Sequence, residues 1–364
     1  MTNGATRPGV EPLGRLLSRE VNVAEVLGYL VERDPQPLLG AFKLKNVSAP
    51  GIRLEARQGR RNRVDAFVTD GGRPVALMEL KVGAAEHGNQ FARYDEVATA
   101  TGDIPRHLVS LDRFTAKVPS GWKRHLLPDL LQGWQDSPDA TARVVATEAE
   151  RALRAVLAQA AGPLGAAGRV AVAVAMRHIN HLVQAAVIGL HQSSGAARTS
   201  GGQPMVIYWL PHPHRRSEHE WLCVDLRSEA QSTTRWKLRL GVEVDPESSQ
   251  PAEVRAHDLA MSLAQALATS AFAAALKEAN KQRLAAAVGS NRNDGFQARF
   301  DSAAAANWRR TVAADPQIST ASPLFAHDRK RRLTTVSYVD YSALTVRQVA
   351  DLVVFALRYL DAVA

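Results

Sequence analysis

Five residues between positions 65 and 94 have the types and spacing for phosphoryl chemistry. Asp65 lies on one strand-like segment, Arg63 to Thr69, and Glu79 and Lys81 lie on the next, Pro74 to Lys81. A three-residue loop of Gly71, Gly72 and Arg73 would pair Asp70 with Pro74 and set Asp65 opposite Glu79. Side chains alternate along a strand, so Asp65, Glu79 and Lys81 share a face while Met78 and Leu80 turn into the core. Carboxylates opposed across a strand pair repel. A divalent cation between them removes that cost, and hard oxygen donors suit Mg²⁺ or Mn²⁺. Lys81 then stands where it can hold or help deprotonate a water on the cation. This is equipment for metal-assisted hydrolysis of a phosphodiester.

Gln90 and Tyr94 stand four apart on the following helical segment, and so on one of its faces. Packed back across the sheet, that face meets the same site and can hydrogen-bond a phosphate or orient Lys81. The chain holds no other E-x-K and no other Q-x-x-x-Y.

Placing these groups takes an α/β body. Apolar residues at helical spacing (Leu16, Leu17, Val23, Val26, Leu27, Leu30) predict a helix over 15–31. Strands are expected at Ile52 to Arg57, Arg63 to Thr69 and Pro74 to Lys81, with turns at 59–62 and 70–73. A helix over 84–100, a strand over 107–111 and helices over 122–134 and 141–160 complete an α-β-β-β-α-β-α order. A Gly162-to-Gly168 boundary divides a domain of 15–160 from an α+β domain of 168–364. There, a helix is expected over 170–191 and a flexible loop over 193–202. Strands are expected over 205–210, 220–226, 237–244 and 334–341, a long helix over 252–287, and further helices over 296–312 and 346–363.

Asp65, Glu79-x-Lys81 and Gln90-x-x-x-Tyr94, on this element order, resemble the PD-(D/E)XK nuclease superfamily with its restriction-endonuclease-like fold. The likeness is to the branch that carries Q-x-x-x-Y after the core motif, and it covers roughly residues 15 to 130. It implies a mixed central sheet flanked by helices, Mg²⁺-dependent nuclease activity and DNA as the usual substrate. Asp65 and Glu79 would be metal ligands, joined by the backbone carbonyl of Leu80. Lys81 would be the catalytic lysine, with Gln90 and Tyr94 in support. An acidic residue on the first helix is common in the family; Glu20 stands at about the right distance, with Glu25 as its competitor. Glu55 is a further candidate for the metal shell. Val64 stands where the family name has proline. The resemblance also implies in-line attack leaving a 5′-phosphate, and a role in restriction or anti-phage defence. An RNA-cleaving effector nuclease and a non-catalytic nucleic-acid-binding module are the other readings, and the intact Asp65, Glu79 and Lys81 speak against the module.

Composition points the same way. Of 364 residues 46% are apolar and 22% charged, the net charge is +9, and there is one cysteine. Disorder and a disulfide scaffold are excluded. The positive charge suits a polyanionic partner, although 9 lysines among 45 basic residues also fit a GC-rich coding sequence. The uncharged run Leu259 to Leu276 is alanine-rich and suits a buried helix better than a bilayer span. With no apolar leader in residues 1–14, a cytoplasmic protein is expected. Arg57, Arg60, Arg61 and Arg63 cluster just before Asp65 and are candidates for gripping flanking phosphates. Arg329 to Arg332 is a second basic run, read as a loop or a distal DNA contact. His212, His214 and His219, with Arg215, Arg216 and Cys223, lack the spacing of a zinc site and read as a loop beside a strand. His178 and His181 read as core or interface histidines, and Asp225, Glu243 and Asp245 as structural. The second half is expected to bind DNA, to form a homodimer or to take a partner or activator.

Overall fold

The structure, a computed structural model, describes residues 12–54, 57–58, 62–82, 90–114, 118–164, 169–189, 197–198, 203–228, 235–245, 252–289, 302–315, 325–328, 331–342 and 344–364. It divides into two units: Met1–Gly162 with Ala166–Arg177, and Pro163–Gly165 with His178–Ala364. The expected second domain began at 168, but Ala166–Arg177 belongs to the first unit.

The first unit runs through α1 (Pro12–Leu16), α2 (Glu20–Arg33), α3 (Gln36–Phe42), β1 (Pro50–Leu54), β2 (Arg57–Gln58), β3 (Asn62–Arg63), β4 (Ala66–Asp70) and β5 (Arg73–Lys81). It continues with α4 (Gln90–Ala100), β6 (Arg106–Ser110), β7 (Trp122–Leu126), α5 (Leu127–Gln132), a 3-10 turn (Gly133–Asp136) and α6 (Ala140–Ala161). Then α7 (Arg169–Ala186) carries the chain across the boundary. Five strands form one mixed sheet in the order β1-β4-β5-β6-β7, antiparallel from β1 to β5 and parallel from β5 to β7. Ala66, Val68, Met78 and Leu80 pack with α2, α3, α5 and α6 on one face. Phe67, Leu77 and Leu108 pack with Phe91, Tyr94 and Val97 of α4 and with Trp122 on the other. This is an α/β layer architecture with helices on both sides of the sheet.

β5 is the middle strand, so both its faces are covered and its apolar run is nearly continuous. The loop before it is shorter than expected. Asp70 pairs with Arg73, and Gly71 and Gly72 alone make the turn, with φ of 56° and 83°. Two consecutive positive-φ residues are what a tight hairpin with right-handed strand twist requires, and glycine supplies them without strain. A bulge then lets Val75 pass without a partner, so Val68 meets Ala76 and Ala66 meets Met78. The one-residue error in the loop is thereby cancelled before the register reaches Asp65.

Other expectations fail at identifiable points. Residues 122–126 form strand β7 rather than the start of a helix, because their backbone completes the sheet beside β6; the helix waits for Pro128 in its first turn. The helix expected over 15–31 is two, α1 and α2, and α3 and the short β2–β3 pair were unforeseen.

The second unit contains β8 (Ala197–Arg198), β9 (Pro204–Pro211), β10 (Glu220–Ser228), β11 (Arg235–Val244), α8 (Ala252–Ser262), α9 (Thr269–Glu278), α10 (Gln282–Ala287), β12 (Val288–Gly289), α11 (Ser302–Ala314), β13 (Ala326–Asp328), β14 (Arg332–Asp340) and α12 (Val346–Val363). Its seven strands form one antiparallel sheet, β12-β14-β11-β10-β9-β8 with β13 also on β14. The helix expected over 252–287 is broken into α8, α9 and α10. Asn280, at φ 58°, ends α9 in the left-handed conformation that Asn tolerates. Helix α7 stops at Ala186 instead of 191; α11 spans Ser302–Ala314, and residues 296–301 of the helix expected there lie outside the described residues. Among the described residues no helix is long and apolar enough to cross a membrane.

Gly241 is where β11 and β14 come closest. A Cβ built there would lie 2.0 Å from the Leu333 carbonyl oxygen and 2.8 Å from the Thr334 Cα. Both are backbone atoms, so Gly241→Ala must part the strands. The variant is expected to lose about 3 kcal/mol of stability, read as a lowered urea midpoint; a midpoint within error of wild type would refute the close approach.

Candidate functional site

The site is built on β5 and the segments that flank it. Asp65 sits in the break between β3 and β4, and one further step of the β4–β5 register sets it opposite Glu79. Its Oδ2 accepts the Leu80 N–H at 2.9 Å. A strand residue presents N–H and C=O to the same edge, so the Leu80 carbonyl also faces the Asp65 side. The Lys81 carbonyl faces the other way, accepting the Leu111 N–H at 2.9 Å beyond β6. The Leu80 side chain is in the core, as expected.

Glu79 is 0% exposed and Lys81 4%. Glu79 Oε1 accepts the Gln90 amide at 2.7 Å and is paired with the Lys81 ammonium. The other oxygen, Oε2, is buried with no hydrogen-bond partner among the described residues. Gln90 is the first residue of α4, and its amide also donates to the Tyr94 hydroxyl at 2.8 Å, one turn on. The crossover from β5 through α4 to β6 thus brings Gln90 to Glu79, with Tyr94 holding the amide in place.

Burial, and then the facing Asp65 carboxylate, push the Glu79 carboxyl up from 4.5 to about 9, against the pull of Lys81. Burial works against the Lys81 charge too. The Glu79, Glu20 and Asp65 carboxylates outweigh it and hold the ammonium pKa above its ordinary value. Burial and the Glu79 carboxylate likewise raise the Tyr94 hydroxyl. Negative charge is therefore in excess at this point. A carboxylate oxygen without a donor, a second carboxylate across from it and a main-chain carbonyl on the same edge fit a divalent cation. Among the described residues no three His, Cys, Asp or Glu side chains form a ligand group, so the remaining positions would fall to water or phosphate oxygens, as Mg²⁺ prefers.

Glu20 is brought to the same strand end. It is the first residue of α2, its Oε1 accepts the Val82 N–H at 3.3 Å, and its charge acts on Lys81. Glu25, its competitor, is on the exposed side of α2. Arg57 and Arg63 are paired in the β2–β3 ribbon. Glu55, Arg60 and Arg61 lie outside the described residues.

The second-half candidates are largely absorbed by structure. His212 lies in the β9–β10 connection, where its Nδ1 accepts the His214 N–H at 3.1 Å. Asp225 is paired with Arg227, and Glu243 with Arg332 at 2.7 Å. Asp245 donates its N–H to the His219 carbonyl. Arg329 and Lys330 lie outside the described residues. His178 is half-buried and His181 is exposed, so of the core and interface readings only the core one fails for His181.

Two features went unread in the sequence. Arg177 is buried on α7 and donates to the Val82 carbonyl at 3.2 Å, directly after Lys81; the signal was an arginine directly after the apolar run Val170 to Met176, on the same helix. His107 and His125 meet on the Met78 face of the sheet, Nδ1 to Nε2 at 2.9 Å, with Phe42 stacked on His107 at 3.8 Å. Burial, then His125 and Lys123, lower His107 to about 3, and burial and Lys123 also lower His125. The unfolded chain therefore binds more protons than the folded one below pH 6.5, and stability falls as pH drops through that window. Between pH 7 and 5, His107 alone is expected to account for about 2 kcal/mol. Urea unfolding of wild type and of His107→Leu/His125→Leu at both pH values reads it. Equal pH dependence in the two proteins would rule it out.

No family model, curated protein or solved structure matches the chain.

Proposed function

We propose that the first unit is a Mg²⁺- or Mn²⁺-dependent nuclease of the PD-(D/E)XK type, with a restriction-endonuclease-like fold, hydrolysing phosphodiester bonds of DNA. The observation that carries this reading is the buried Glu79, whose Oε2 has no donor among the described residues while Asp65 faces it and Lys81 stands beside it. The mixed sheet, with the site on its middle strand, is in keeping with that fold. The net charge of +9 favours a polyanionic substrate.

Asp65, Glu79 through Oε2 and the Leu80 carbonyl would hold the cation. When bound, it neutralises the two carboxylates and polarises a phosphoryl oxygen. The residues around it do the positioning. Gln90 takes one side of Glu79 and leaves Oε2 free to bind, and Tyr94 fixes the Gln90 amide. Lys81 stays charged among Glu79, Glu20 and Asp65. It is placed to donate to a non-bridging phosphate oxygen and to stabilise charge that grows there during in-line attack.

Purified protein should be incubated with supercoiled plasmid, linear duplex, single-stranded DNA and RNA, in Mg²⁺ or in EDTA. Metal-dependent cutting of DNA, absent from a Lys81→Ala control, is the expected result. Preferential cutting of RNA would move the substrate class. If titration calorimetry detects no Mg²⁺ or Mn²⁺ binding that depends on Asp65 and Glu79, the enzymatic reading is abandoned.

A further inference from the structure

Arg177 is the last residue of the first unit and is 2% exposed. Its Nε donates to Asp112 Oδ2 at 2.9 Å, and its Nη2 reaches both Asp112 and the Val82 carbonyl. Asp112 is anchored in the turn that follows β6: its Oδ1 accepts the Phe114 N–H at 2.8 Å and its carbonyl accepts the Ser110 hydroxyl at 2.9 Å. The guanidinium therefore ties the Val82 peptide to this hydrogen-bonded turn, while Glu20 holds the Val82 N–H.

This matters because of where β5 ends. Its described pairing with β6 runs to Lys81, and among the described residues the Lys81 carbonyl bond to Leu111 is the last along that edge. A strand end without further ladder bonds frays. Yet Glu79, the Leu80 carbonyl and the Lys81 ammonium, three consecutive groups at this end, must converge on one point. Burying a guanidinium is costly unless its geometry is fully used, and here each contact bears on the exit of β5.

We propose that Arg177 is a positioning residue, clamping the Val82 peptide to the Asp112 turn so that residues 79–81 keep the orientation a divalent cation and a phosphate need. The inference rests on the proposed function for the identity of the ligand. The clamp itself does not.

The test uses the full chain in two variants. Arg177→Met/Asp112→Asn removes both charges together, so that neither is buried alone; Arg177→Lys keeps the charge without the fork. Mg²⁺ affinity is read by calorimetry, strand-end order by hydrogen exchange at the Leu80 and Val82 amides, and overall stability by thermal melting. In the double variant Mg²⁺ binding is expected to weaken about tenfold. Exchange should rise at Leu80 and Val82 and not at Phe67, with the melting temperature little changed. Arg177→Lys should fall between. Wild-type Mg²⁺ affinity and wild-type exchange in a folded variant would overturn the inference. If the double variant does not fold, Arg177→Lys decides alone, since unchanged Mg²⁺ binding and exchange there would equally overturn it. Wild-type protein that binds no Mg²⁺ overturns the proposed function instead, and amide exchange then decides the clamp by itself.

Discussion

Glu79→Gln is expected to stabilise the metal-free protein above neutral pH while abolishing Mg²⁺ binding and cleavage. The folded protein holds the Glu79 carboxyl at about 9, against 4.5 ordinarily, because the group is buried and faces Asp65. Between those values the folded state binds a proton that the unfolded state has released. The associated stability is fully present below 4.5, declines as pH rises, and is gone above about 9. Glutamine copies the protonated carboxyl in shape and charge and does not titrate. At pH 8 the variant should therefore exceed wild type by on the order of 3 kcal/mol in EDTA, with the two converging toward pH 5. Urea unfolding at both pH values measures this. The same linkage requires that Mg²⁺ binding to wild type at pH 7.5 releases a proton, seen as a buffer-dependent binding enthalpy. A variant no more stable than wild type at pH 8 would mean that Lys81 already neutralises Glu79, and the site would then have no excess charge for a cation to relieve.

Lys81→Met is expected to separate binding from chemistry. Methionine keeps the length and most of the volume of the buried stem, so packing against the 0%-exposed Glu79 changes little. What disappears is the ammonium that Glu79, Asp65 and Glu20 jointly hold charged. The local field becomes more negative, so Mg²⁺ should bind at least as tightly as in wild type. Turnover should nevertheless fall about 100- to 10,000-fold, with little change in the DNA concentration needed for half-maximal rate. Calorimetry and single-turnover cleavage on one preparation read both quantities. Lost Mg²⁺ affinity would make Lys81 structural, and unaltered turnover would remove it from the mechanism.

The site residues were legible because they cluster in sequence. Asp65, Glu79 and Lys81 span a single hairpin, so strand alternation and a turn are enough to relate them. Even the mistaken loop did no harm, since the bulge at Val75 restored the pairing. The closing helix was read over its full length, Val346–Val363, from a strong apolar periodicity. Residues 122–126 were misread because a single edge strand carries too little pattern to outweigh its helical surroundings. Its identity depends on β6 offering a hydrogen-bonding edge.

Sequence alone therefore determined what is local: the residue types of the site, their shared face, and the helical pair Gln90 and Tyr94. Tertiary structure decided what depends on distant partners. It buried Glu79 and left its Oε2 without a donor, brought Glu20 from 62 residues away to the Val82 N–H, and carried Arg177 across 95 residues to the Val82 carbonyl. The physical reason is that hairpin and helix geometry repeat within a few residues, whereas burial and charge balance are set by whatever the finished fold packs against each group.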